Sequence, residues 1–303
     1  MRIARRDLVA LTLAAAAWGL GTVISKRAVE EFAPVTLLSL QLAASLTALL
    51  VFARLTRRSL RGSPALLARL GLLNPGIAYA LSLIGLVTVS ASLSVMLWAL
   101  EPLLILALAG VFLGERITPT FVGLSLVAVV GMTLVLYEPA ASGQLVGIAL
   151  TIAGVACCAA YTVIARRFLP GTTDATAPVV FAQQGYALAF ALVVVIILAI
   201  AGGQVLPSTP TAIGFASAIG SGILYYSAAY LFYLTALRSV PASYAAVSFY
   251  LIPIFGIAGA TLLLGERLDP RQWIGAIVVL AAVFAIVRPG RASKAPREVP
   301  ATS

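Results

Sequence analysis

No histidine occurs in the 303 residues, and lysine occurs only as Lys26 and Lys294. Without histidine the chain lacks the commonest metal ligand, so no metal site and no cofactor are expected. Neither lysine stands in a Gly-Lys-Ser/Thr context, which excludes a phosphate-cradling loop and ATP-driven transport by this chain alone. An intramembrane hydrolase would need a nucleophile beside a general base. One deep carboxylate and no histidine do not supply that pair, and the chain is read as a non-enzyme. Cysteine is limited to the adjacent Cys157 and Cys158 inside an apolar run, read as small packing residues. Charge is scarce as well: 10% of residues are charged, where soluble proteins carry roughly 25%.

What is present is hydrophobic, 61% of residues with a mean hydropathy of +1.07. The apolar runs approach the roughly 20 residues that cross hydrocarbon as a helix, and they leave no room for a sizeable soluble domain. The alternating segments of a membrane β-barrel are missing. The pattern predicts an all-α membrane protein with spans at 8–28, 34–53, 66–87, 90–113, 118–137, 144–166, 177–201, 211–236, 241–264 and 270–288. Arg2, Arg5 and Arg6 ahead of an apolar run resemble a signal peptide. Nothing downstream reads as a secreted domain, so this segment is taken as the first span. The polar, basic tail 289–303 is expected to be disordered and cytoplasmic.

The net charge of +10 is explained by loop arginines rather than by nucleic acid. With the N-terminus inside, the basic residues outside are Lys26, Arg27, Arg267 and Arg271, and the other sixteen of the 20 fall inside. That bias places both termini in the cytoplasm of a bacterial inner membrane. The expected partners are the bilayer and a small-molecule substrate, the chain being a monomer or weak homodimer.

Internal similarity comes next. Gly114-Glu115-Arg116 returns as Gly265-Glu266-Arg267, a shift of 151 (265 − 114). The same shift relates Pro102 to Pro253, Pro119 to Pro270, and Ala91-Ser92 to Ala242-Ser243. Thr22 to Arg27 matches Thr162 to Arg167 at a shift of 140 (162 − 22), and Gln41 meets Gln183 at 142 (183 − 41). The halves are drawn at 1–139 and 140–288. An odd number of spans per half inverts the second copy, the architecture of many secondary transporters.

At these residues the sequence resembles the EamA family of the drug/metabolite transporter superfamily. The resemblance covers 8–288 and rests on Trp18-Gly19, on Leu100-Glu101-Pro102, and on two Pro-centred helices ending in Leu-Gly-Glu-Arg, at Leu113–Arg116 and Leu264–Arg267. It implies two inverted five-helix bundles, a central cavity, and export of small metabolites such as amino acids. Many members carry an arginine near the position of Gln41. The second half has Ile252 where the first has Glu101.

Glu101 is the one acid or base placed deep in any span. A charge at that depth is costly and should face the bundle interior. It either binds a substrate ammonium or exchanges a proton, or it is a neutral acid that holds the kink at Pro102. Pro102 and Pro253 remove helix hydrogen bonds and are candidate gating kinks. Ser94, Trp98 and Glu101 share a helix face, and Tyr226, Tyr230 and Tyr233 form a similar stripe. With Trp18, Tyr79, Tyr161 and Tyr250 they could line a pocket with few polar groups, or be core and interfacial anchors. Gln41 and Gln183 are buried amides that need partners, from the cavity or from neighbouring helices. The Gly-Glu-Arg triplets either end their helices or pair across loops.

The leading reading is a secondary exporter of small amphipathic metabolites, amino acids or related compounds. A lipophilic-cation exporter, an importer on the same fold, and a membrane-embedded enzyme or assembly factor are the alternatives.

Overall fold

The computed structural model describes residues 3–86, 88, 97–98, 100–136, 144–171, 176–205, 210–264 and 269–287. Helices account for nearly all of them. In the first half these are α1 (Arg5–Glu31), α2 (Pro34–Leu55), α3 (Ala65–Gly71), α4 (Ala78–Leu86), α5 (Glu101–Leu113) and α6 (Pro119–Leu136). In the second half they are α7 (Leu145–Phe168), α8 (Thr176–Ile200), α9 (Ala212–Gly222), α10 (Ala229–Leu237), α11 (Ala242–Ala246), α12 (Ile252–Leu264) and α13 (Pro270–Val287).

Among the described residues, seven helical stretches are long and apolar enough to cross a membrane, and Glu101–Leu113, Pro119–Val135 and Ala242–Gly256 are shorter apolar helices. Large apolar side chains also point outward along the bundle, among them Val111, Ile196, Ile277 and Leu262. A water-facing helix would carry polar residues there; a hydrocarbon-facing one does not.

The packing is reciprocal. Helix α1 lies on α9, α10 and α12 of the other half, and α7 lies on α4 and α5 of the first. Helix α2 packs on α8 and on α9, α8 packs on α3, and α6 runs against α13. The contacts of α1, α2, α7 and α8 with the other half are thus returned by the corresponding elements.

Two interruptions repeat as well. Helices α3 and α4 meet at a kink in Leu72–Ile77, where Asn74 is extended at φ −146° and ψ 121°, and α9 and α10 are joined by a π-helical turn, Ile223–Ala228, at a shift of 151 (223 − 72). Each follows a glycine pressed on a glutamine backbone. A Cβ on Gly71 would lie 1.8 Å from the Gln183 carbonyl oxygen, and one on Gly222 would lie 2.5 Å from that of Gln41. No side chain fits at either crossing, so the glycines set the distance between halves.

Pro102 and Pro253 each stand second in α5 and α12, and Pro253 follows directly on a 3-10 turn within the apolar stretch Ala242–Gly256. Ahead of Pro253 the chain runs through α11 and a 3-10 turn, Val247–Leu251, so the expected span 241–264 is three helical pieces. The corresponding stretch before Pro102, including Ser94, lies outside the described residues. Gly114 ends α5 at φ 64°, a left-handed conformation that favours glycine, which agrees with its reading as a helix stop.

Candidate functional site

A cavity of about 60 Å³ lies between the halves, lined by Trp18, Asn74, Tyr79, Trp98, Glu101, Cys158, Tyr161, Thr162, Tyr225, Tyr230, Tyr233, Phe249 and Ile252. Five pairs in this lining are repeat mates. A shift of 140 (158 − 18) relates Trp18 to Cys158. A shift of 151 (230 − 79) relates Tyr79 to Tyr230, Asn74 to Tyr225, Trp98 to Phe249, and Glu101 to Ile252. The cavity thus straddles the relation between the halves, while its chemistry is one-sided: Glu101 faces the interior opposite an isoleucine mate.

The rings hold one another edge to face. Trp18 meets Tyr230 at 5.7 Å, Tyr233 at 5.4 Å and Phe249 at 5.4 Å between centroids. Tyr79 meets Trp98 at 5.7 Å and Tyr225 at 5.8 Å. Such pairs contribute about 0.5–1.5 kcal/mol beyond burial, which fixes the lining. Their hydroxyls are also tied: Tyr230 donates to Asn74 Oδ1 at 2.8 Å and Tyr79 to Tyr225 Oη at 3.0 Å. Tyr161 donates to Gln183 Oε1 at 2.8 Å, and Tyr233 to Thr162 Oγ1 at 3.3 Å.

Of the residues singled out in the sequence, Trp18, Tyr79, Trp98, Glu101, Tyr161 and Tyr230 come together at this cavity. Four do not line it. Gln41 donates to Ser221 Oγ at 2.9 Å. Gln183 donates to the Leu67 carbonyl at 2.9 Å while accepting from Tyr161. Both amides are thus spent on hydrogen bonds between helices, as is Gln184, which accepts from Ser45 and donates to the Tyr226 carbonyl. Tyr226 packs behind the lining, stacked on Tyr230 at 6.3 Å. Tyr250 belongs to a separate core with Leu106, Phe121 and Val279. In the other direction, Cys158 was read as packing and lines the cavity.

At the end of the bundle carrying the arginine-rich loops, polar groups tie the halves together. Both oxygens of Glu115 accept from the first turn of α11, at 2.7 Å from Ala242 N and 3.0 Å from Ser243 N, and Ser243 Oγ adds a third bond. A carboxylate on a helix N-terminus is a favourable charge–dipole arrangement. Arg166 donates to the carbonyls of Leu237 and Arg238 at 3.1 and 2.6 Å, and Arg167 to that of Phe112 at 3.3 Å. Ser239 donates to Asp7 Oδ2 at 2.8 Å. A wider cleft of about 370 Å³ opens among Glu115, Arg166, Arg167 and Pro241, but these charges already serve helix ends. Glu101 lies apart from them, in the smaller central cavity. Among the described residues no cluster of metal-ligating side chains occurs.

Comparison with known proteins agrees with this architecture. An uncharacterized transporter of Archaeoglobus fulgidus is 27% identical over 290 residues, which is 92% of this chain and 98% of that protein. A solved crystal structure superposes with a TM-score of 0.77 at 17% identity, over 94% of this chain and 96% of that one; it shares the fold. The model of the EamA-like transporter family matches twice, at residues 6–137 and 145–288. The two matches divide the chain where its reciprocal packing does, and the protein belongs to the EamA-like transporter family.

Proposed function

We propose that the protein is a secondary active transporter that exports small amphipathic amines, amino acids or related compounds, by alternating access. The observation that carries this is the cavity between the halves, ringed by aromatic side chains and holding one acid, Glu101. An apolar pocket with few convergent polar groups is the usual form of a small-molecule site. At about 60 Å³ it has room for about two waters at their ≈ 30 Å³ each, whereas ligand pockets measure roughly 300–1,000 Å³. Transport therefore requires the halves to part.

The ten expected spans, the inverted halves 1–139 and 140–288, and cytoplasmic termini in a bacterial inner membrane belong to the same proposal. Reciprocal packing supports the halves, and the basic-residue bias supports the orientation. Glu115 on Ala242-Ser243 closes the arginine-rich end. The repeat carries the same residues at Glu266 and Ala91-Ser92.

A lipophilic-cation exporter is the second reading, favoured by one observation: among the described residues the lining contains Glu101 and no lysine or arginine. A screen of amino acids and organic cations against the purified protein separates the two. Ligands appear as concentration-dependent stabilisation, and the effect should vanish in Trp98→Ala. Stabilisation by none of these compounds would sink the proposal.

A further inference from the structure

One polar atom of the cavity lining is left over. Trp18 is 6% exposed, and its indole Nε1 is buried without a hydrogen-bond partner. Among the described residues with such an orphaned side-chain atom, Trp18 is the one that lines this cavity. Indole N–H is a donor only, and a buried tryptophan usually finds it a partner. The ring is gripped by Tyr230, Tyr233 and Phe249, so it has little freedom to turn its N–H elsewhere.

The position of this donor relative to Glu101 matters. Trp18 lies on α1, which packs on α12, the helix of Ile252. Glu101 lies on α5, which packs on α7, the helix of Cys158. Ile252 is the repeat mate of Glu101, and Cys158 is the mate of Trp18. The acid and the unpartnered donor therefore belong to different walls, each standing beside the apolar or weakly polar mate of the other.

From this we infer that the central cavity has two recognition points. Glu101 takes the amine end of the substrate, and Trp18 Nε1 donates to an oxygen acceptor at its other end. The substrate class is an amine that carries a carbonyl, carboxylate or hydroxyl oxygen, held in one orientation across the cavity. Trp18 is thus a specificity-determining residue, and the inference rests on the amine-binding reading of the same cavity. A lining without lysine or arginine gives a neutral acceptor no disadvantage against a carboxylate.

The test uses the full chain in detergent and three probes that share an amine and an isobutyl side chain: leucinamide, leucine and isoamylamine. The last keeps the amine and the side chain and lacks the acceptor. Affinity is read from concentration-dependent thermal stabilisation. Native protein should bind leucinamide roughly 3–10-fold tighter than isoamylamine, the size of one net hydrogen bond. Trp18→Phe keeps the ring contacts and deletes the donor. It should bring the two affinities together by weakening leucinamide, with isoamylamine unchanged. Leucine binding more tightly than leucinamide, and losing that affinity in Trp18→Phe, also supports the inference and makes the acceptor a carboxylate. A leucinamide preference that survives in Trp18→Phe overturns it. So does equal affinity of leucinamide and isoamylamine in native protein, a result that needs no variant to fold. If native protein binds none of the three, the amine-binding reading fails and takes this inference with it.

Discussion

Tyr230 donates its hydroxyl to Asn74 Oδ1 at 2.8 Å, and the repeat returns the bond: Tyr79 donates to Tyr225 Oη at 3.0 Å. Each tyrosine lies five residues beyond the helix-interruption residue of its own half, Tyr79 after Asn74 and Tyr230 after Tyr225. Asn74 is extended at a kink and Tyr225 lies in a π-helical turn, and all four residues line the cavity. Two crossed bonds then join the halves at its floor. Tyr230→Phe leaves the Asn74 oxygen buried without this donor, at a cost of about 1–3 kcal/mol. Tyr79→Phe should cost less, because the Tyr225 hydroxyl can rotate to another partner. Melting temperatures of the two variants in detergent check the order; equal and negligible shifts would mean that the bonds do not hold the halves.

Glu115 is the second place where the halves are joined, through Ala242 N and Ser243 N. Hydrogen bonds to a charged group contribute roughly 1.5–3 kcal/mol. Glu115→Gln removes the charge and turns one acceptor into a donor, so the arginine-rich end should open more often. Cys158 lies in the cavity and reports that opening. In a Cys157→Ala background, an impermeant maleimide offered from the arginine-rich side should alkylate Cys158 several-fold faster in Glu115→Gln. An unchanged rate would mean that the clamp does not gate this end.

How much of this was legible in the sequence depends on what kind of signal each residue gives. Gly114-Glu115-Arg116 and Pro102 declare the repeat because both recur at one spacing, and the reciprocal packing follows. Glu101 is legible because a carboxyl in hydrocarbon has few other uses. Gln41 and Gln183 are not, since a buried amide says only that it needs a partner, and helices supply one as well as ligands do. Tyr226 was placed by 3.6-residue periodicity and Tyr250 only by its lying inside the ninth span. The π turn before α10 brings Tyr225 to the lining instead, and the 3-10 turn Val247–Leu251, at three residues per turn, puts Tyr250 in the other core. Cys158 could have been found: the shift of 140 that aligns Thr22 with Thr162 also places it on Trp18.

The orientation is tested by introduced cysteines in a Cys157→Ala, Cys158→Ala background. One at Ser63, in the loop after α2, should be shielded from impermeant reagents in intact cells, as should one at Thr173. One at Ser142 should react. Thr173 and Ser142 lie outside the described residues, and the expectation rests on the sixteen basic residues counted inside against four outside. Labelling at Ser63 with shielding at Ser142 would reverse the topology.

Glu101 carries the last expectation, because coupling and binding are separable there. If the protein is the proposed exporter, a proton gradient is one source of energy open to it. Among the residues of the cavity lining, Glu101 is the carboxyl, and alternating access would carry it between water on one side and water on the other. Such a group can take up a proton in one state and release it in the other. Glu101→Gln keeps the shape and one acceptor but cannot exchange a proton. If Glu101 couples transport, the variant in vesicles should lose uptake driven by a pH gradient yet retain exchange of substrate for substrate. If Glu101 instead holds the amine by its charge, exchange should fall too, and cationic ligands should lose the most affinity. Retention of both activities, with only the melting temperature moved, would leave Glu101 the structural task of fixing the start of α5 ahead of Pro102. Vesicles prepared with and without a pH gradient, assayed for both uptake and exchange, distinguish the three outcomes, and gradient-driven uptake by Glu101→Gln at the native rate would end the coupling role.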